Sequence, residues 1–396
     1  MVGVASERLS RYRWAVLAVG TAAQACALAL LFAPSVLAPE LRDELGLSLT
    51  EIGIVIAAPW VGPIFTLLPW GMLTDRVGER LVLAVGVGLC GMLTIALAFA
   101  STFAPLALLL GLAGAAGASV NAASGRAVMS WFGAGERGLA LGIRQGSTPL
   151  GIAIASLALP AVERGGGLEG AFLFLAALSL AAAGAGALVL RGVPGESSSE
   201  AAQAVLREGR LWLLGAASGV YLIAQVAVVG FLVLFLHDER GLSTQAAAAV
   251  LAVVQALAIA LRIGVGRWSD LLRDRIGPLR LLGIAAWASL AATAVLLEER
   301  TWLVITGFVA AGTLSMSWNG LAFTAAAELA GRARSGAAIG FQQTVLSATA
   351  AASPPVFAAL VEAESWRTAF LAASLAPLVG WALLAPLDER RLSSGP

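Results

Sequence analysis

Long apolar stretches recur along the chain, each broken by a few charged or small residues before the next begins. Runs long enough to cross about 30 Å of hydrocarbon lie at 14–37, 51–72, 81–100, 105–130, 138–160 and 170–190. A second six follow at 211–236, 244–266, 280–297, 302–326, 336–360 and 368–386. Each is expected to be a helix, which satisfies its own backbone hydrogen bonds inside lipid; in chain order they are spans 1 to 12. Span 1 follows Arg8, Arg11 and Arg13, but it is too long for the apolar part of a signal peptide and no small-residue cleavage pattern follows it. The only linker-like stretch, 191–210, contains Pro194, Gly195, Glu196 and Ser197 to Ser199. The expected architecture is an all-α membrane protein with six-helix bundles at 1–190 and 211–396 joined by that cytoplasmic linker.

A shift of 198 places superimposes Trp14 on Trp212, Asn121 on Asn319, Gly138 on Gly336, Gly142 on Gly340, Gln145 on Gln343 and Phe172 on Phe370. The two sets of six are therefore an internal repeat, and each half needs the other to enclose a site. With a cytoplasmic N-terminus, 17 Arg fall in cytoplasmic segments and 5 in external loops. The positive-inside rule favours that orientation, with both termini cytoplasmic.

Composition narrows the class. Hydrophobic residues make up 59% of 396 positions and charged residues 12%, so lipid must be the solvent for much of the surface. A net charge of +1 with scattered charges argues against a nucleic-acid partner. All 25 basic residues are Arg, which points to a GC-rich bacterial genome and a place in the inner membrane. Cys26 and Cys90 lie inside apolar runs and imply no disulfide framework. The single histidine, His237, sits beside Asp238 and Glu239 at a helix end. No metal site, cofactor site or catalytic triad can be assembled around it.

Between spans 2 and 3 the chain reads Gly71-Met-Leu-Thr-Asp75-Arg76-Val-Gly78-Glu-Arg80, and between spans 8 and 9 Gly266-Arg-Trp-Ser-Asp270, then Arg275-Ile-Gly277. Both resemble the signature loop of the major facilitator superfamily, the second with an insertion around Leu271 to Asp274. Trp131-Phe132 followed by Glu136-Arg137-Gly138 supports the same resemblance. It implies transport by alternating access through a cavity lined by spans 1, 4, 7 and 10, and a conformational latch at Asp75, Arg76 and Arg80. Physically, Gly71 and Gly78 permit close approach and a tight turn, and Asp75 can receive a helix N-terminus or an Arg from a neighbouring helix. A solvated turn that merely obeys topology is the alternative.

Polar residues within spans are the binding candidates. Gly114, Gly117, Asn121 and Ser124 recur on one helical face of span 4. Asn121 and Asn319 either hydrogen-bond a ligand or hold helices together. In span 8, Gln255, Arg262 and Gly266 share a stripe, and Arg262 either lines the cavity or snorkels. The resemblance favours the cavity, since an Arg eight residues before the loop Asp occurs in transporters of monocarboxylates, oxalate and nitrate. Arg144 in span 5 has Gln342 as its repeat partner, so the halves differ in charge there. Arg126 lies near the cytoplasm and reads as a snorkelling residue.

Three intramembrane Arg, with no Asp or Glu in the middle of a span, leave positive charge that an incoming anion would neutralise. The substrate-binding set is expected to be Arg262, Arg144, Asn121, Asn319, Gln255 and Gln343, in a monomer carrying a small organic anion such as a monocarboxylate. A nitrate transporter's span 2 Arg is replaced by Leu67. Proton-coupled multidrug export is the alternative, weakened because the Arg such exporters carry early in span 4 is here Leu110. Their span 5 signature is only partly echoed by Gly142, Gly146, Pro149 and Gly151. A membrane sensor lacks a signalling surface, and a membrane enzyme lacks its catalytic groups.

Overall fold

The computed structural model describes residues 2–132, 136–191, 205–331 and 334–387. Most of the 191–210 linker, from 192 to 204, lies outside the described residues. Every regular element among the described residues is an α-helix or a short 3-10 turn, as the apolar runs require. Among the described residues, eleven helical stretches are long and apolar enough to cross a membrane. One of them, Gly142–Val189, holds both span 5 and span 6. The backbone leaves helical geometry between them at Gly167, φ 63° and ψ −169°, a conformation that suits a residue without Cβ.

The chain packs as two compact units, residues 1–37 with 58–197 and residues 38–57 with 198–396. The first unit is held by small residues. Span 2 is one helix, Leu49–Val77, despite Pro59, Pro63 and Pro69 inside it, and span 4 approaches it almost backbone to backbone. A Cβ on Gly114 would stand 1.9 Å from the Pro59 carbonyl oxygen, and one on Gly62 would stand 2.3 Å from that of Gly111. Thr66 and Trp70 in span 2 both donate to the Ala115 carbonyl, at 2.9 and 2.8 Å. Without an apolar driving force between helices in lipid, such close approach and such donors supply the cohesion. Gly114→Ala must therefore push two backbones apart, at a cost of about 1–3 kcal/mol or more. Gly184→Ala, where a Cβ meets nothing within 4 Å, should instead stabilise by about 0.5–1 kcal/mol. Thermal unfolding in detergent should show midpoint shifts of opposite sign.

Span 4 is two helices, Phe103–Gly117 and Ser119–Trp131, with a break at Ala118 where the Asn121 amide turns back to the Ala118 carbonyl at 3.1 Å. This break divides the glycine and polar stripe expected on one face of span 4. Gly114 faces the span 2 backbone, whereas Asn121 and Ser124, past the break, meet polar side chains. At the start of the unit, Trp14 packs edge-on against Phe132, and Tyr12 donates its hydroxyl to the Val189 carbonyl at the end of span 6.

In the second unit span 7, Gly209–Asp238, is buried along nearly its whole length. Phe231 and Phe235 on it pack with Phe308, Phe357, Trp366 and Phe370. Span 10 is also two helices, Thr301–Ser315 and Asn319–Ala330. Its break begins at Met316, the repeat partner of Ala118, and runs to Trp318. Ser315 and Ser317 donate to the carbonyls of Gly312 and Thr313, the local side-chain bonds that compete with helix continuation. Trp212 packs edge-on against Phe341, echoing Trp14. At the end of the unit away from the Asp270 loop, Arg42 pairs with Asp238, Thr50 donates to Glu362, and Trp366 donates to Glu239 at 2.9 Å.

Candidate functional site

The first signature loop turns at Gly78, φ 86°, which a glycine adopts without penalty. Asp75, at the end of span 2, meets Arg126 of span 4 at 3.1 Å, and the same guanidinium donates to the Thr74 carbonyl at 2.6 Å. Glu79, the first residue of span 3, is completely buried, with the Arg126 Nε 3.8 Å from one carboxylate oxygen. That distance allows ionic attraction but no hydrogen bond. Arg126 thus serves the loop instead of reaching for the membrane surface, because two carboxylates converge on it. Arg76 and Arg80 are exposed, and a Cβ at Gly71 or Gly266 would meet nothing within 4 Å. Arg126→Ala would leave the Glu79 charge buried without its partner, a loss of about 3–5 kcal/mol. Asp75→Asn removes a partly exposed partner and should cost about 1 kcal/mol or less. Chemical denaturation of the two variants should rank them in that order.

The second loop uses the same parts with the roles exchanged. Arg275, in the loop itself, binds Asp270 and reaches Glu328 of span 10 at 3.1 Å. Desolvation pulls its guanidinium down, but the hydrogen bonds and charges of Glu328 and Asp270 outweigh it and raise it above its ordinary value. The insertion is structured: Arg273 closes span 8 in the left-handed conformation, φ 53°. Asp274 then accepts the N–H groups of Ile276 and Gly277 at 2.9 and 3.1 Å.

The membrane-embedded candidates form one cluster in each unit. In the first, Arg144 lies at the end of the helix Arg137–Gln145, just before span 5 steps at Gly146. It is 8% exposed. Its Nε donates to the Ser124 hydroxyl at 2.8 Å and one Nη to the Asn121 carbonyl at 3.0 Å. Gln24, in the middle of span 1, donates to the Asn121 side chain at 3.2 Å, while the Ser124 hydroxyl gives its hydrogen to the Val120 carbonyl at 2.6 Å. Every one of these partners is neutral. The repeat partner of Arg144, Gln342, donates to Ser218 at 2.8 Å in the second unit.

In the second unit Arg262 donates to the Met316 carbonyl at 2.7 Å, at the span 10 break, and Gln255 places its amide nitrogen 3.0 Å from the Met316 sulfur. A Cβ on Gly320, next to Asn319, would stand 3.5 Å from the Arg262 side chain. Span 8 and the break in span 10 therefore bring Arg262 and Gln255 together at Met316, with Asn319 three residues further along span 10. Gln343 is half-buried on the helix Ser335–Ala363. Among the described residues no carboxylate pairs with Arg144 or Arg262. Nor is any group of three His, Cys, Asp or Glu placed to hold a metal ion. Gln24, Glu79 and Glu328 were not singled out from the sequence. Gln24 had a readable signal, an amide in the middle of an apolar run, while the two glutamates look like ordinary loop charges.

The family model described as Major Facilitator Superfamily matches residues 17–346. An uncharacterised MFS-type transporter of Mycobacterium tuberculosis is 34% identical over 372 residues, 92% of this chain and 83% of that one. A probable sulfoacetate transporter of Cupriavidus necator is 26% identical over 357 residues, 83% of this chain and 82% of the other. Among solved structures, a bacterial homologue of the human lysosomal transporter Spinster, inward-facing and unoccupied, superposes with a TM-score of 0.82 at 15% identity, covering 96% of this chain and 98% of that one. Signature loops, broken spans 4 and 10, and a family match over most of the length lead to one conclusion: the chain belongs to the Major Facilitator Superfamily, a multi-pass membrane transporter and not an enzyme.

Proposed function

We propose that this transporter carries a small organic anion by alternating access, with Arg262 and Arg144 as the cationic groups that receive it. The observation that carries this reading is an intramembrane guanidinium in each unit, buried at Arg144 and partly buried at Arg262, whose partners among the described residues are all neutral. An intramembrane Arg without a carboxylate is expensive, and it persists where it lines water or a substrate path. A carboxylate would offer two oxygens in the plane of the guanidinium fork. Breaks at matched places in spans 4 and 10 suit this role, since irregular backbone within a membrane belongs beside a cavity. The sulfoacetate relative points to the same class, a small anion with a carbon skeleton. The ion pairs at the two loops serve as latches in this scheme, and the Arg distribution supports a cytoplasmic position for both loops.

Calorimetric titration of the purified protein with a panel of carboxylates, phosphate esters and lipophilic cations tests the reading. Saturable binding confined to the carboxylates and other small anions is expected. Binding confined to the lipophilic cations would reject it in favour of drug export.

A further inference from the structure

We infer that Gln255 and Asn319 select hydroxylated carboxylates over plain ones, by hydrogen-bonding hydroxyl groups of an acid whose carboxylate rests on Arg262. The inference builds on the anion reading above and goes beyond it to the rest of the substrate.

Its basis is a set of unsatisfied polar atoms at the span 10 break. Arg262 Nε, Gln255 Oε1, Asn319 Oδ1 and Thr313 Oγ1 are all buried without a hydrogen-bond partner among the described residues. Gln255 is 1% exposed, and among the described residues its other amide end bonds only the Met316 thioether, a weak acceptor. Buried polar groups are nearly always paired, so two unpaired ones on the side chains that meet Met316, with two more within three residues of it along span 10, call for a ligand.

The matched place in the first unit shows the contrast. There the Asn121 side chain accepts from Gln24 at 3.2 Å, and Arg144 donates to Ser124 at 2.8 Å and to the Asn121 carbonyl at 3.0 Å. Asn319 stands 198 positions from Asn121 and has no such neighbour for its oxygen. The repeat has therefore kept the amide and left its partner out.

The chemistry of the missing partner follows from the groups that await it. A carboxylate satisfies the Arg262 N–H but brings no donor for two amide oxygens. A hydroxyl both donates and accepts, so it matches either end of an amide and the Thr313 hydroxyl as well. An alkyl chain in the same place would leave all of them unpaired. Sites built to bond a hydroxyl reject the analogue that lacks it far more strongly than apolar pockets reject a missing methylene.

The test uses the full-length protein in lipid nanodiscs and two six-carbon acids, gluconate and hexanoate. Titration calorimetry is expected to show gluconate binding at least about tenfold more tightly. Gln255→Leu, of similar volume, and Asn319→Leu should each reduce that ratio several-fold. Unfolding in the absence of ligand should shift upward for Gln255→Leu, because an unsatisfied buried amide has been removed; a drop would mark Gln255 as structural and overturn its role. Equal affinity of the wild-type protein for both acids would overturn the inference and leave the anion reading standing. So would a preference for gluconate that survives both substitutions. Failure of both acids to bind, with sorbitol or tetraphenylphosphonium binding instead, would overturn the anion reading and the inference with it.

Discussion

Replacing Arg262 with alanine is expected to lower affinity for a bound carboxylate by about ten- to a hundredfold. Hydrogen bonds to a charged group contribute about 1.5–3 kcal/mol, and each 1.4 kcal/mol is about a factor of ten in affinity. The substitution should not unfold the protein, since among the described residues Arg262 bonds only to the Met316 carbonyl and its loss removes a partly buried charge that no carboxylate pairs. Arg262→Lys discriminates further. A lysine keeps the charge and presents it as a point, without the planar fork, so affinity should still fall severalfold. If the side chain merely reached for the membrane surface, lysine would serve as well. Titration of each variant, with thermal unfolding measured beside it, separates these outcomes.

Arg144→Gln is expected to have the second largest effect, about a tenfold loss of affinity with the fold retained. The substitution copies the residue that the repeat places at 342, where a glutamine donates to Ser218. Glutamine at 144 can likewise donate to Ser124, so the network that includes Gln24 and Asn121 keeps a donor while the charge disappears. Unchanged affinity together with a lowered unfolding midpoint would assign Arg144 a purely structural role.

The helices were legible because lipid makes the signal strong. Each run had to be apolar and long, and each boundary carried Arg, Gly or Pro. The repeat was legible from Trp14 and Trp212, and both turn out to close the start of a unit by packing edge-on against a phenylalanine. What could not be read was where continuous apolar runs are interrupted. Span 4 offers no proline or charge at Ala118, yet the helix stops there, so a stripe drawn at ideal helical spacing joined Gly114 to Asn121 across a break. Arg126 misled for a related reason. Its distance from the membrane surface is a matter of sequence, but its attraction to Asp75 and Glu79 depends on how spans 2, 3 and 4 pack. With Arg126 paired, the excess intramembrane charge falls to Arg144 and Arg262. Ser124, Asn121 and Met316, to which these two donate, lie 20 or more residues away along the chain and on other spans, beyond the reach of any local motif.

The most direct test of the central claim is uptake into proteoliposomes holding the purified transporter. The account predicts saturable uptake of a short carboxylate, gluconate and hexanoate among those tried, that competing carboxylates inhibit and whose half-saturation Arg262→Ala raises by about ten- to a hundredfold. Saturable uptake of a lipophilic cation such as tetraphenylphosphonium, with no carboxylate carried and no effect of Arg262→Ala, would contradict it.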